Sequence, residues 1–406
     1  SWHDELCRAL VACRFSAVAV APQAVGAADL DPIRAAQACR DAAVEQSVVF
    51  EWSLVADWAR RGIEVVERFH MTGQRVEGEL RSLLGTALRR TNRPGSDTEL
   101  LRAADLASEY EDDPLLVATV TELCLHGFTT SVGDVDRRAR AHLDYALSLE
   151  LAPQQRAELL AAAATLFASS PEAPLGRSLF HEARAVAIRS ENERLVRTVL
   201  MNSHLGLAHP DDLGLRWHAA QTLAEYDDVE ARWEAAFLHF NLALVAADRE
   251  LFDESVARLR ELTPLVRRRS RGRSLLQIDA VDSFVRGDLD AAEQFANLSL
   301  EAISSGYSES WSLAIYAALL IPIRQSQGRL AELWPFVEDR MRAQPTFTSW
   351  HALGAAMADA RGDRATACEL LGVLRERKLD LVEDTTYTAI ATMLAVPVWR
   401  AGDVEL

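Results

Sequence analysis

A short turn recurs along the C-terminal part of the chain at a nearly constant spacing. Four copies read Gly287-Asp288-Leu289-Asp290-Ala291-Ala292, Gly328-Arg329-Leu330-Ala331-Glu332-Leu333, Gly362-Asp363-Arg364-Ala365-Thr366-Ala367 and Gly402-Asp403-Val404-Glu405-Leu406, with glycines 41, 34 and 40 residues apart. An earlier copy, Glu250-Leu251-Phe252-Asp253-Glu254-Ser255, lies 37 residues before Gly287 and lacks the glycine. Each copy is flanked by Ala/Leu/Arg/Glu-rich stretches with apolar residues three and four apart, the helical period. Glycine supplies the tight turn that ends one helix, and an Asp after it caps the next. A helical hairpin of this size cannot bury its own apolar face. Copies at this period therefore stack on one another as a helix-turn-helix solenoid.

The same spacing predicts where neighbouring helices cross. Seven residues before each turn stand Ala243, Ala280, Ile321, Ala355 and Ala395; five after it stand Ser255, Ala292, Leu333 and Ala367. Most are small, as a close crossing requires. The exceptions, Ile321 and Leu333, share a repeat that also carries Pro322 and Pro335, so that repeat is expected to bend or splay. Extended backwards, the pattern gives helix pairs at about 33–70, 74–111, 114–150, 155–190, 194–227, 231–266, 273–305, 311–344, 347–379 and 385–406. The expected organisation is residues 1–32 as the remnant of a preceding domain or an N-terminal cap, then repeats over 33–406. Within the first segment, Arg14–Gly26 is the one stretch that could hold a strand. The last pair stops as its second helix begins, which points to a fragment or to a covered end.

Composition narrows the chemistry. The chain has 406 residues, 43 basic and 60 acidic, for a net charge of −17. Such a chain is a poor wrapper of phosphate backbones, so no direct nucleic-acid binding is expected. Neither a membrane span nor a secretory signal is legible. Lys378 is the only lysine, and no glycine loop precedes it, which excludes a Walker A phosphate site. The five scattered cysteines read as reduced thiols of a cytoplasmic protein. No metal or cofactor is expected.

Three stretches carry a family resemblance: Ala35-Ala36-Gln37-Ala38-Cys39-Arg40-Asp41-Ala42-Ala43 running on to Trp58-Ala59-Arg60-Arg61-Gly62; Arg286-Gly287-Asp288-Leu289-Asp290-Ala291-Ala292-Glu293; and Gln327-Gly328-Arg329-Leu330-Ala331-Glu332-Leu333-Trp334-Pro335 with Gln344-Pro345 and Trp350. They resemble a tetratricopeptide array, in particular the C-terminal helical region of large actinobacterial AAA or STAND ATPase regulators. Those regulators carry a LuxR-type DNA-binding domain or a class III nucleotide cyclase. The resemblance implies an all-α, right-handed α-solenoid of about nine to ten helix pairs. It also implies a non-catalytic region that senses a partner or small-molecule inducer and restrains other domains of the same protein. No ATPase, cyclase or DNA-reading motif lies within the 406 residues, so those activities attach to no residue here. A free-standing scaffold for a peptide or helix is the alternative; an enzyme on a helical toroid is a third reading.

Several clusters invite a sharper interpretation. Arg267, Arg268, Arg269, Arg271 and Arg273 read as cations at a helix end, favoured by its dipole, against a phosphate contact. His204, His209, Asp211 and Asp212 lack the spacing of a helical zinc site and read as a loop. No G-x-S-x-G elbow supports a Ser-His-Asp hydrolase. Asp112-Asp113, Asp211-Asp212 and Asp227-Asp228 read as turn and N-cap residues. Most of the nine tryptophans read as core. First helices line the inner face of such a solenoid, and their inward offsets select Phe237, Phe240, Gln277, Phe284 and Gln325 as a ligand or partner groove.

Overall fold

The computed structural model describes residues 2–71, 74–91, 93–125, 135–266, 269–304, 309–379, 381 and 387–402. Every regular element among them is helical, with no strand among the described residues. By their contacts the residues divide into two compact units. One comprises Ser1–Cys124, Arg137–Gln155 and Arg268–Ser270; the other comprises Leu125–Asp136, Arg156–Arg267 and Arg271–Leu406. The first unit carries α1 (Trp2–Ala12), α2 (Ala17–Gly26), α3 (Pro32–Val48), α4 (Trp52–Arg68), α5 (Arg75–Arg90), α6 (Ser96–Glu109), α7 (Asp113–Cys124) and α8 (Arg137–Ser148). The second carries, apart from the first residues of α9 and α16, α9 (Pro153–Phe167), α10 (Ala173–Arg189), α11 (Glu193–Leu200), α12 (Ser203–Gly206), α13 (Leu213–Ala224), α14 (Val229–Ala246), α15 (Arg249–Leu262), α16 (Arg269–Val285), α17 (Leu289–Ile303), α18 (Glu309–Ser326), α19 (Trp334–Ala343), α20 (Thr348–Ala360), α21 (Arg364–Glu376) and α22 (Tyr387–Ala401).

One turn chemistry recurs through both units. A residue in the left-handed region ends a helix, and the next residue donates its N–H to the carbonyl five positions back, closing a Schellman motif. These bonds run from Asp112 to Ala107 (2.8 Å), Asp248 to Ala243 (3.0 Å), Asp288 to Ser283 (2.9 Å) and Asp363 to Ala358 (2.9 Å). The same Asp side chains then accept the N–H three residues on and start the next helix: Leu115, Leu251, Ala291 and Thr366 are the donors. Gly287 (φ +82°), Gly328 (φ +71°), Gly362 (φ +80°) and Gly402 (φ +66°) hold the left-handed position where the sequence places a glycine turn. Glu111 (φ +53°) and Ala247 (φ +53°) hold it without glycine.

Ala247 corrects the register of the earliest copy. The equivalent of Gly287-Asp288 is Ala247-Asp248, not Glu250-Leu251, because that is where the left-handed residue and the capping carboxylate stand. The slip is three residues. In the glycine-marked repeats the crossing positions behave as the spacing predicts: Ala280, Ala355 and Ala292 are fully buried, and Ala367 is buried. Ala395 departs: it is exposed on α22, and among the described residues no helix comes after α22 to cross it. Ala280→Leu and Ala355→Leu are each expected to overpack a crossing and cost about 1–3 kcal/mol. Unchanged denaturant midpoints for both would remove this register.

Helices pack in chain order. In the first unit each of α1 to α7 packs on its successor, and α3 also meets α5, α5 meets α7 and α6 meets α8. In the second unit α14 packs with α15, α17 with α18, and α20 with both α21 and α22. Polar pairs repeat the period. Arg40 with Glu79, Arg90 with Glu122, Arg177 with Asp212, Arg197 with Asp228, Arg286 with Asp253 and Arg400 with Asp359 are 31–41 residues apart. This is the contact pattern of a helical repeat.

Arg14–Gly26 is not a strand. Ser16 accepts the Ala19 N–H, the Glu45 carboxylate accepts the Val18 N–H, and α2 begins there. The alternation of Ala and Val there reflects small residues chosen for packing: Ala21 and Ala24 enter one apolar cluster with Cys7 of α1, Ala35 and Cys39 of α3 and Val55 of α4. In the repeat with Pro322 and Pro335, Pro322 lies inside α18, Leu330–Leu333 forms a 3-10 turn, and Pro335 opens α19 where its missing N–H costs nothing.

Candidate functional site

The corrected register redistributes the residues selected from sequence. Phe237 falls ten residues before Ala247, equivalent to Gln277 before Gly287. Phe240 falls seven before it, the crossing position held by Ala280 and Ala355 elsewhere. Accordingly Phe240 is buried and packs on Phe252 of α15 (ring centroids 5.4 Å apart). The crossing of α14 and α15 is thus filled by two phenyl rings where the repeats marked by Gly287 and Gly362 use two alanines. Phe237 is half-buried within a run of rings, 5.2 Å from Trp233, 6.2 Å from Phe240 and 4.7 Å from His204. Phe284 is half-buried against the next cluster, with Ala280, Ala292 and Ile323. Gln277 is half-buried and Gln325 exposed. Leu244, three residues before Ala247 and therefore equivalent to Phe284 and Gln325, is 41% exposed and is hidden by the register slip.

The His/Asp set separates into individual structural roles. His209 Nδ1 accepts the Asp211 N–H at 3.0 Å and caps the short turn Pro210–Asp212. The His204 ring lies edge-on to Phe237. Asp212 is buried and receives Arg177 through two hydrogen bonds, 2.8 and 3.1 Å, with His181 Nε2 3.3 Å away. Burial opposes ionisation of Asp212, but the Arg177 hydrogen bond and the nearby His181 and His209 outweigh it and hold the carboxyl below the usual range. Beside this pair is a pocket of about 120 Å³ with small apolar walls (Ala164, Ala168, Ala173, Leu205) and Arg177 and His209 as its polar groups. Sequence reasoning missed Arg177 because its partner lies 35 residues away. Among the described residues no group of three or more His, Cys, Asp or Glu is arranged to hold a metal ion.

The remaining clusters obey the same logic. Asp112 and Asp228 are N-caps, accepting from Leu115 at 3.3 Å and Ala231 at 2.9 Å. Trp58, Trp233 and Trp350 are buried, Trp52, Trp311 and Trp334 half-buried, and Trp2, Trp217 and Trp399 exposed. All cysteines are free thiols; burial pushes Cys39 and Cys124 up to about 12, so neither is a thiolate near neutrality. Arg267 and Arg268, and the side chains of Arg269, Arg271 and Arg273, lie outside the described residues. No helix among the described residues is long and apolar enough to cross a membrane. Compared with protein-family models the chain matches none, and comparison with curated proteins gives no significant match.

Proposed function

We propose that the chain is a non-catalytic, partner-sensing helical-repeat region of tetratricopeptide type, built as a right-handed α-solenoid of about nine to ten helix pairs. It serves a larger cytoplasmic signal-responsive regulator, whose other domains it restrains until a protein, peptide or small inducer shifts its curvature. The observation that carries the reading is a stripe at matched offsets on successive first helices: Phe237 and Leu244 on α14, Gln277 and Phe284 on α16, Gln325 on α18, all exposed or half-buried. Aromatic and aliphatic surface interleaved with amides suits an extended peptide or an amphipathic helix. His209, Asp212, Asp112 and Asp228 are engaged in caps and ion pairs.

Peptide display selection against the intact chain tests this. Selected peptides should photo-crosslink from a probe at Gln277 or Gln325 and lose at least about tenfold in affinity in Leu244→Glu, a substitution at an exposed position. Crosslinking only from a probe at Arg258, exposed on the second helix α15, would place the binding face elsewhere and overturn the proposal. The chain alone should hydrolyse no ATP, since its only lysine lies outside any phosphate loop; steady phosphate release would refute this.

A further inference from the structure

Three side chains of the first unit, apart from the α14–α18 stripe, meet between α6 and α8. His142 Nε2 lies 2.9 Å from Asp105 Oδ1, and His142 Nδ1 lies 3.4 Å from Ser108 Oγ. A carboxylate only accepts hydrogen bonds, so the imidazole proton stands on Nε2 and the lone pair of Nδ1 faces the Ser108 hydroxyl. Arg138, one helical turn before His142 on α8, holds the other oxygen of Asp105. The hydroxyls of Thr121, Ser148, Ser190, Thr198, Thr222 and Ser304 donate to a helix carbonyl three or four residues back. Ser108 makes no such bond among the described residues; its partner is the imidazole.

A hydroxyl facing the lone pair of an imidazole that a carboxylate orients is the arrangement of a base-activated nucleophile, and its hydroxyl–imidazole contact is commonly long before the reactant binds. The His142 side chain is 14% exposed and that of Asp105 32%, and Ser108 stands half-buried in the last turn of α6. An imidazolium formed there lies beside the Asp105 carboxylate and the C-terminal end of the α6 dipole, and both favour a cation. The backbone N–H groups that follow Ser108 are taken: those of Tyr110, Glu111 and Asp112 donate to the carbonyls of Leu106, Ser108 and Ala107, so they form no oxyanion hole. Such a site suits an acyl donor with a good leaving group, and the acyl group then stays on the serine. We propose that Ser108 is an acylation site for a small activated ester, with His142 as the proton acceptor and Asp105 as its positioning residue. Ser108 Oγ bonds to the carbonyl carbon while its proton passes to His142 Nδ1. The imidazolium returns that proton to the leaving oxygen as the bond between the carbonyl carbon and the leaving group breaks. An ester on Ser108, a free alcohol and a neutral imidazole result.

The test treats the full chain with para-nitrophenyl acetate and follows the acetylated residues by peptide mass mapping over time. Ser108 should gain acetyl at least about tenfold faster than Ser148 and Ser304, which are exposed and would lead if access alone decided. His142→Gln should bring Ser108 down to their rate. Asp105→Asn should do the same with little change in melting temperature, because the new amide N–H donates to Nε2 and moves the imidazole proton onto Nδ1. Acetylation of Ser148 should stay unchanged in both variants; should one of them unfold and speed it, the other decides. Acetylation of Ser108 no faster than that of Ser148 and Ser304, or unchanged in the folded variant, would overturn the proposal and leave the three side chains as a polar tie between α6 and α8.

Discussion

Asp97→Ala is expected to lower the stability of the first unit by about 3–5 kcal/mol, while Arg89→Met at the other end of the same ion pair should be nearly neutral or stabilising. The asymmetry arises from where each charge sits. Arg89, on α5, has a side chain only 3% exposed, whereas Asp97 in the first turn of α6 is 32% exposed. Burial opposes the charge on Arg89 and lowers its pKa, and Asp97 and Glu122 only partly restore it. Its hydrogen bond to Asp97 runs from Nη2 at 3.0 Å, while Nε and Nη1 find no partner among the described residues. Removing the carboxylate leaves a guanidinium in the interior with its main compensation gone. Removing the guanidinium leaves a carboxylate that water reaches and that the α6 N-terminus still favours by about 0.3–1 kcal/mol. Methionine fills much of the arginine volume without a charge. Urea titration of the two single variants and the double variant gives the comparison, and the double should recover most of the Asp97→Ala loss. Equal losses from the two single variants would mean that the pair is a net stabiliser and that the burial argument fails.

The legible part of the fold is the part written in residue-specific turn chemistry. Gly-Asp marks a turn because glycine alone enters the left-handed region freely and Asp caps the next helix; Gly287-Asp288 and Gly362-Asp363 stand where that rule puts them. The Schellman closure itself is made by backbone atoms, so any residue can sit in it at a cost. At Glu111-Asp112 and Ala247-Asp248 the capping carboxylate is the one remaining mark. Taking Glu250 for the turn in place of Ala247 moves every offset by three. That slip sets Phe240 in the groove, whereas Phe240 is buried against Phe252 of α15, and it conceals Leu244.

The features that stay illegible depend on partners distant along the chain. The Arg177–Asp212 pair joins residues 35 apart, and nothing local to Asp211-Asp212 announces that the second carboxylate is buried and the first exposed. The run Ala17-Val18-Ala19-Val20-Ala21 has the period of a strand. It forms a helix because Ser16 and Glu45 cap it and because alanines allow close approach to α3. The patch at Val48, Val49 and Phe50 looks like an apolar helix end until exposure is known.

Glycines show the same ambiguity most sharply, and it yields the second large effect. Gly62→Leu is expected to cost about 3 kcal/mol or more, whereas Gly372→Ala should stabilise by about 0.5–1 kcal/mol. Both glycines lie inside helices, α4 and α21, and neither makes a turn. A β-carbon at Gly62 would stand 2.7 and 2.8 Å from the two methyls of Leu80 and 3.0 Å from Cys39 Cβ. Leu80 and Cys39 are fully buried on α5 and α3, so α4 is gripped from both sides and neither neighbour has room to yield. Gly62→Ala should cost less than Gly62→Leu, because the helix-propensity gain of about 1 kcal/mol offsets part of the clash. At Gly372 a β-carbon would meet nothing within 4 Å, so only the propensity gain remains. Denaturant midpoints of Gly62→Leu, Gly62→Ala and Gly372→Ala should therefore fall in rising order, with only the last above the parent. A Gly62→Leu midpoint at or above the parent would mean that α3, α4 and α5 do not pack as one close layer, and sequential helix packing in the first unit would lose its tightest contact.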